Sequence, residues 1–265
     1  MNCVEVVKGD GPVVLGFPHT GSHVPEDIFG NLNQRGRTLS DTDWHIHTLY
    51  DGLLEGATTV RATFHRYVID ANRDPSGVSL YPGQNTTGLS PLTDFDAHPI
   101  WQNEPTDADI ENRLIQFHQP YHAALTAELN RVRDQHGVAI LYDCHSIRSR
   151  VPHLFDGTLP DFNIGTNEGT TCSKLIETAV SDICTGATDY TSILNGRFKG
   201  GWTTRHYGNP EENIHAIQME LAQSSHLESE IAPWTYSPER AKSLRPVLAE
   251  ILTTLADLAP RLGGK

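Results

Sequence analysis

The chain has 265 residues, of which 37% are hydrophobic and 20% charged, a composition typical of a soluble globular protein with one substantial core. Its formal net charge of −13 argues against nucleic acid as a partner, because phosphate binding needs a basic surface. No apolar run approaches the ~20 residues that span a bilayer, and the first residues lack the pattern of a secretory signal. The four cysteines are scattered along the chain, which argues against a disulfide framework or a zinc ribbon. We therefore expect a cytoplasmic protein that does not bind a membrane.

Strand and helix patterns alternate in the first half of the chain. They predict a short apolar strand within 11–21, a helix over 40–57 with Ser40 as its N-cap, a strand over 58–73, a surface loop or lid over 75–105, and a long helix over 107–137. Pro120 is expected to kink or break the long helix, and Gly137 is expected to end it.

The alternation continues in the second half. It predicts a strand over 138–146, an irregular region over 151–170, a helix over 172–184, a loop over 196–201, a strand over 215–224 and a closing helix over 237–259. We find no repeat or linker and therefore expect one domain over 1–265. Strands separated by helices predict an α/β fold with a mostly parallel sheet and helices on both faces. Ligands of such sheets bind at the carboxyl ends of the strands.

Polar residues cluster in or just after these predicted strands. They are His19, Asp70, Asn72, Arg73, Asp143, His145, Arg148 and Glu220. Because alternate residues of a strand share a face, Asp143 and His145 project together while Cys144 points the other way. Gln218 and Glu220 likewise share one side of their strand. A carboxylate among apolar strand neighbours is costly unless it is paired, bound to a metal or functional.

Two histidines at strand ends and one carboxylate would form a catalytic zinc site with an open position for water. The candidates are His19, His145 and Asp43, with Glu220 as a separate carboxylate that relays protons. A zinc ion lowers the pKa of its water to about 7, which makes hydroxide available at neutral pH. Each residue also has a structural interpretation. His19 could be a loop histidine that is hydrogen-bonded to the backbone. Asp43 could form a capping box with Ser40, and Glu220 could pair with a buried arginine.

Five arginines lie within or beside the same strand ends and the glycine-containing loop. They are Arg66, Arg73, Arg148, Arg197 and Arg205. Guanidinium groups bind carboxylates through two parallel hydrogen bonds, so such a cluster in an acidic protein indicates a small substrate with one or more carboxylates. The alternative is that each arginine pairs with one of the 33 acidic residues.

Ten short motifs follow one another along the chain: "PHTG", "DTDW", "YVIDANR", "TTGL", "DCHSIRS", "PHLFDG", "DFNIGT", "NGRFKGG", "TRHYG" and "HAIQMELAQS". Together, over about residues 12–225, they resemble the N-formylglutamate amidohydrolases, or N-formylglutamate deformylases, of histidine degradation. The resemblance implies a mixed sheet flanked by helices, related to the zinc carboxypeptidases and the phosphorylase/hydrolase-like folds. It also implies hydrolysis of N-formyl-L-glutamate to formate and L-glutamate.

The resemblance also implies a metal site. Its ligands would be His19, His145 and a carboxylate at Asp43, with Glu26 of "HVPE" and Asp41 as alternatives for the carboxylate. The ion would be zinc, with cobalt, manganese or iron as alternatives, because sites of histidine and carboxylate accept several metals.

The remaining roles follow from the same resemblance. Glu220 would be the general base, and Arg148 would help the metal to stabilise the oxyanion. The residues implied in holding the two glutamate carboxylates are Arg66, Asn72, Arg73, Arg197 and Arg205. The acyl pocket is expected to be too tight for acetyl. Two alternatives are a related hydrolase of another N-acyl amino acid or peptide, and a non-catalytic protein that binds acidic metabolites.

Overall fold

The computed structural model describes residues 2–79 and 83–263, and within them seven strands form one sheet. The strands are β1 (Val4–Val7), β2 (Val13–Phe17), β3 (Thr58–Ala62), β4 (Ala139–Ile147), β5 (Phe162–Gly165), β6 (Ser192–Leu194) and β7 (Ile214–Ala222). Their order across the sheet is β1-β3-β2-β4-β7-β5-β6. The pairs β1/β3 and β5/β7 are antiparallel, and the other neighbouring pairs are parallel. The predicted α/β fold with a mostly parallel, mixed sheet is confirmed.

Helices cover both faces of this sheet. The α-helices of the described residues are α1 (Glu26–Phe29), α2 (Ile46–Tyr50), α3 (Asp107–Arg113), α4 (Gln119–His136), α5 (Lys174–Gly186), α6 (Trp202–Tyr207) and α7 (Pro238–Leu262). On one face, α4 packs Leu125 and Leu129 against Leu141 of β4. On the other face, α5 and α7 join the apolar cluster that contains Tyr142 and Cys144 of the same strand.

The long α7 shows why the closing helix was predictable. Its buried residues recur every three or four positions from Ala241 to Ala259, so they form one apolar face that packs on the sheet. The Ser237 side chain accepts a hydrogen bond from the Arg240 backbone N–H and caps the first turn. No helix among the described residues is both long enough and apolar enough to cross a membrane.

Strands β4 and β7 form the centre of the sheet, and all nine residues of each are buried. A strand with helices packed on both faces is apolar along most of its length, so its polar residues mark the place where the helices no longer cover it. In the parallel register of this pair, His145 lies opposite Glu220 and Asp143 lies opposite Gln218. This register brings four polar side chains to one edge of the core.

Two predicted elements are shorter than expected. The helix predicted over 40–57 is present only over Ile46–Tyr50, because His45 before it has a left-handed backbone and the chain leaves the helix at Asp51. Ser40 is therefore not its N-cap. The strand over 58–73 ends at Ala62, after which the chain turns and buries the polar side chains of His65, Arg66 and Asp70.

Other differences concern short elements. The irregular region over 151–170 contains β5, and the sequence did not predict β1, β6, α1 or α6. The predicted interruption near Pro120 is present as a π turn over Leu114–His118, and Gly137 ends α4 with φ 76°. The described part of 75–105 forms isolated bridges but neither helix nor strand, and residues 80–82 of that predicted loop lie outside the described residues.

Candidate active site

Three buried side chains meet where β2 and β4 end. His19 lies two residues beyond β2, His145 is in β4, and Asp43 precedes α2. Asp43 Oδ2 lies 3.8 Å from His19 Nδ1 and 3.3 Å from His145 Nδ1. Two backbone bonds fix Asp43 in this position. Its N–H donates to His19 O (3.0 Å), and its Oδ2 accepts from Ser146 N–H (3.1 Å). These three side chains form a group that could bind a metal ion.

A second carboxylate stands behind each of the two imidazoles. His19 Nε2 lies 2.6 Å from Asp70 Oδ1, and His145 Nε2 lies 3.1 Å from Asp143 Oδ1. At His19, the Asp70 carboxylate accepts the ring proton on Nε2 and thereby leaves the Nδ1 lone pair facing Asp43, an arrangement typical of metal-binding histidines. His19 Nδ1 is buried and has no hydrogen-bond partner among the described residues. The donor set therefore fits a cation.

The charges around this group also fit a cation. Burial lowers the pKa of His19, and the positive charge of Arg66 adds to this effect. Burial alone would lower the pKa of His145 too, but Asp143 and Asp43 raise it well above its usual value. The carboxylates thus stabilise positive charge between the two rings. A bound metal ion would supply the same charge.

Arg66 lies at the site and is bonded to Asp43, while its predicted role in binding a substrate carboxylate stays a prediction. Its Nη2 donates to Asp43 Oδ1 at 2.5 Å, and its guanidinium lies 5.0 Å from the centre of the Phe95 ring. Burial would raise the pKa of Asp43, but Arg66, followed by the two imidazoles, holds it below its usual value. Asp43 is therefore a carboxylate at neutral pH, with Oδ1 bonded to Arg66 and Oδ2 facing the histidines.

Glu220 lies beside the three-residue group and is also buried. Burial raises its pKa to about 8, and the nearby Asp43 carboxylate contributes to this shift. Gln218 orients the Glu220 side chain. Gln218 Oε1 accepts from Gly201 N–H (2.6 Å), which leaves Gln218 Nε2 to donate to Glu220 Oε2 (3.1 Å). A carboxyl group with this pKa is mostly protonated at pH 7. The positive charge of a cation held by the neighbouring group would lower the pKa of Glu220 and free its carboxylate to act as a base.

These residues border a cavity of about 80 Å³. Its lining includes polar side chains, three arginines that we call the cationic wall, and apolar side chains. The polar residues are His19, Asn72, His145, Gln218 and Glu220, the cationic wall is Arg66, Arg73 and Arg197, and the apolar residues are Phe95, Ile147, Leu154 and Phe198. A cavity lined by polar, cationic and apolar side chains suits a small anionic ligand that has an aliphatic part.

Asn72, Arg73 and Arg197 lie at the cavity as the sequence predicted. Asn72 Nδ2 lies 3.3 Å from His145 Nε2, and Asn72 Oδ1 accepts from Thr203 N–H at 2.8 Å. Arg73 Nε donates to Thr87 O (2.8 Å), and Arg197 Nε donates to Leu154 O (2.9 Å). These backbone carbonyls hold both guanidinium groups at the cavity wall.

Close packing around Asn72 requires a glycine. A Cβ at Gly201 would lie 2.2 Å from Asn72 Nδ2, a distance at which one of the two groups must move. Gly201 also donates the backbone bond that orients Gln218. The residue before α6 therefore contacts two side chains of the cavity, Asn72 and Gln218.

Two predicted residues lie elsewhere. Arg148 is not among the described residues that line the cavity, and its Nη2 donates to Asp96 Oδ1 at 3.0 Å. Arg205 is also outside that lining set, and its Nε donates to Gly200 O at 2.8 Å. Their predicted roles, in stabilising the oxyanion and in binding a carboxylate, stay predictions.

The two alternative carboxylates do not join the group. Glu26 is exposed on α1. Asp41 is buried, but its Oδ2 accepts from the Tyr67 hydroxyl (2.8 Å) and from Phe95 N–H (2.9 Å). The structure thus places Asp43, and neither alternative, beside the two histidines.

Asp41 gives a testable dependence of stability on pH. Burial raises its pKa from 3.8 to about 6. Since the folded-state pKa lies above the unfolded value, the folded chain holds the proton more tightly, and the free energy of unfolding falls as pH rises from about 4 to 6. Asp41→Asn keeps an acceptor oxygen and removes this loss, so we expect it to be about 1–3 kcal/mol more stable than wild type at pH 8.

Urea unfolding of both proteins at pH 4 and pH 8, with chelator present throughout, measures this effect. The difference between them should nearly vanish at pH 4, where Asp41 is largely protonated in the folded chain. A loss of stability in Asp41→Asn that is the same at both pH values would contradict the assignment.

The structure holds a second group of metal-binding type in Asp94, Asp96 and His98. Arg35 pairs with both carboxylates of this group, and Arg148 pairs with Asp96. The side chain of His98 is 58% exposed. Because arginines already balance its charge, this group is the weaker candidate for a metal site.

Sequence reasoning missed the roles of Asp70 and Gln218. Asp70 was singled out at a strand end, but nothing in the sequence links it to His19, 51 residues away. Gln218 was placed on the same side as Glu220 without a function. The two-residue alternation of β7 was the signal that could have identified it.

Comparison with known proteins places the chain in a family. The sequence profile of the N-formylglutamate amidohydrolase family matches residues 11–227. The chain is 44% identical over 251 residues to an N-formylglutamate deformylase of Pseudomonas putida, covering 94% of this chain and 93% of the relative. It is 43% identical to an N-formylglutamate deformylase of Pseudomonas aeruginosa, with 94% of each chain covered.

A solved structure agrees with these sequence matches. The crystal structure of an N-formylglutamate amidohydrolase from Ralstonia eutropha superimposes with a TM-score of 0.81 at 25% identity and covers 98% of this chain and 99% of the other. A gene product of Agrobacterium tumefaciens has the same fold, with a TM-score of 0.69 at 16% identity over 96% of both chains. The chain belongs to the N-formylglutamate amidohydrolase family.

Proposed function

We propose that this chain is a hydrolase that converts N-formyl-L-glutamate and water to L-glutamate and formate. Its curated relatives are named for this activity and align with 94% of the chain. The observation that carries the proposal is the buried group of His19, Asp43 and His145 beside Glu220, at a cavity with a cationic wall. That combination provides both an amide-hydrolysing centre and a place for carboxylates.

We propose that His19 Nδ1, His145 Nδ1 and Asp43 Oδ2 hold a divalent cation. Zinc is the first candidate, because histidine and carboxylate ligands suit it, and cobalt, manganese and iron are the alternatives. When bound, the ion supplies Lewis-acid chemistry, which polarises a carbonyl and acidifies a water molecule. The donor set supports this assignment, since His19 Nδ1 has no hydrogen-bond partner among the described residues.

Glu220 is the proposed general base. It accepts a proton from the attacking water as the water oxygen bonds to the formyl carbon, and it gives that proton to the amide nitrogen as the C–N bond breaks. Formate and the free amine of glutamate are the two products. Gln218 keeps Glu220 Oε2 in a hydrogen bond, which leaves Oε1 for the proton. Asn72 lies beside His145 in the lining of the cavity.

Arg73 and Arg197 are the proposed partners of the substrate carboxylates. Both line the cavity, and backbone carbonyls fix their orientation before substrate arrives. A preorganised guanidinium loses little conformational entropy on binding, so it contributes more of its interaction to affinity. Arg66 supports the centre differently, by holding Asp43 as a charged carboxylate.

The test of this function is a direct assay. Purified protein given N-formyl-L-glutamate should release formate and glutamate in equal amounts. Because the cavity is small, we expect the additional methyl group of an acetyl substrate to be poorly accommodated, and kcat/KM for N-acetyl-L-glutamate to be lower by about 100-fold or more. N-formyl-L-glutamine tests the need for the second carboxylate. Faster turnover of either analogue than of N-formyl-L-glutamate would assign the chain a different substrate.

A further inference from the structure

Two histidines outside the catalytic group bind the backbone of a segment that shapes the cavity. His118 ends the π turn and His122 lies one helical turn further, in α4. His118 Nε2 lies 3.0 Å from Arg73 O, and His122 Nε2 lies 2.8 Å from Ala71 O. Their rings are 4.4 Å apart, so the two imidazoles act on one stretch of backbone.

The contacted backbone belongs to residues 70–73, which form a buried turn outside the sheet. Buried carbonyl groups need hydrogen-bond donors, and a turn outside a sheet has no neighbouring strand to supply them. Three side chains of this segment contact the candidate site. Asp70 holds His19, Asn72 contacts His145, and Arg73 forms part of the cationic wall.

The protonation of both imidazoles follows from their partners. A carbonyl oxygen only accepts, so each Nε2 must carry a hydrogen. His122 Nδ1, which carries no hydrogen in this tautomer, lies 3.0 Å from the Tyr207 hydroxyl, and the same hydroxyl also donates to His122 O at 3.2 Å. Burial lowers the pKa of His118 and His122, so both rings are neutral donors at physiological pH.

We propose that His118 and His122 are positioning residues for substrate binding, which hold the 71 and 73 carbonyls so that Asn72 and Arg73 face the cavity. The proposal rests on the proposed function only for the identity of the substrate. A π turn is uncommon inside a helix and recurs at functional sites. Here it ends on His118 and sets the ring against Arg73 O.

Paired substitutions test the role of the Nε2–H groups. His118→Phe and His122→Phe keep a ring but remove the donor, whereas His118→Gln and His122→Gln place an amide N–H near the same position. We expect each Phe variant to raise KM for N-formyl-L-glutamate by about tenfold with kcat within about twofold of wild type. The Gln variants should recover most of the loss, and metal content should stay unchanged in all four.

Tyr207→Phe is the milder variant in case a Phe ring at position 118 or 122 prevents folding. It removes the hydroxyl that holds His122 through its Nδ1 and its backbone carbonyl, and we expect KM to rise about threefold. A folded Phe variant with wild-type KM, or Gln variants as impaired as the Phe variants, would overturn the proposal. So would a wild-type KM in Tyr207→Phe if neither Phe variant folds.

Hydrogen exchange of the peptide over 66–76 gives a readout that needs no substrate. It should be faster in the Phe variants than in wild type and close to wild type in the Gln variants. If wild-type protein releases no formate, the proposed function fails while this measurement still decides the proposal. Unchanged exchange in a folded Phe variant would refute the positioning role even if the enzyme is active.

Discussion

Glu220→Gln is expected to lower kcat for formate release by about 10³-fold, because the amide cannot accept the proton of the attacking water. The change preserves the size of a side chain that is buried beside His145, so the packing of β7 should persist. KM should change little, since the proposed role of Glu220 is in proton transfer and not in binding the carboxylates. Steady-state formate assays together with metal analysis of the variant measure this effect.

Glu177→Gln is the matched control. Glu177 is also a buried glutamate, but it lies on α5 and bonds to Thr166 and Lys174, away from the cavity. Its substitution should leave kcat within about twofold of wild type, because it makes no contact with the site. If Glu220→Gln kept most of the activity with its metal bound, another group would have to be the base.

Removal of a metal ligand is expected to have an effect at least as large. His145→Phe keeps a ring in β4 but removes the nitrogen that faces Asp43. We expect bound metal to fall from about one equivalent per chain to less than about 0.1, and kcat/KM to fall by about 10³-fold or more. Elemental analysis of purified protein, paired with the formate assay, measures both quantities.

His98→Phe is the control for this experiment, because His98 belongs to the other group that could bind a metal. It should keep its metal and its activity. The opposite result, with metal lost from His98→Phe and kept in His145→Phe, would show that the ion binds to the group of Asp94, Asp96 and His98.

A chelator provides an independent test of the same centre. Dialysis against it should abolish formate release, and addition of zinc, cobalt or manganese should restore it to different extents. Full activity in protein shown to be free of metal would refute the metal-dependent mechanism.

The central part of the fold could be predicted because its signals are local. β4, β7 and α7 are long elements with clear apolar patterns, and each appears within a few residues of its predicted bounds. The family resemblance over 12–225 agrees with the profile match over 11–227. Placing His145 and Glu220 at one end of the sheet needed only the rule of parallel strands.

The missed elements are short. β1, β5 and β6 have three or four residues each, too few to show a period, and pairing with distant strands stabilises them. Asp43 shows the same limit at the site. The spacing from Ser40 to Asp43 resembles a helix cap, whereas contacts with the distant His19, Arg66 and Ser146 hold Asp43 in the interior.

The tight fit between Asn72 and Gly201 restricts how this cavity can be redesigned. Because the Asn72 amide fills the space in which a Cβ at position 201 would lie, the two positions cannot vary independently. Any single replacement of Gly201 forces either Asn72 or the start of α6 to move, and a shift of Asn72 would change its contact with His145. A mutant library that aims at bulkier acyl groups must therefore randomise both positions together, and homologues with a larger residue at 201 should carry a smaller one at 72.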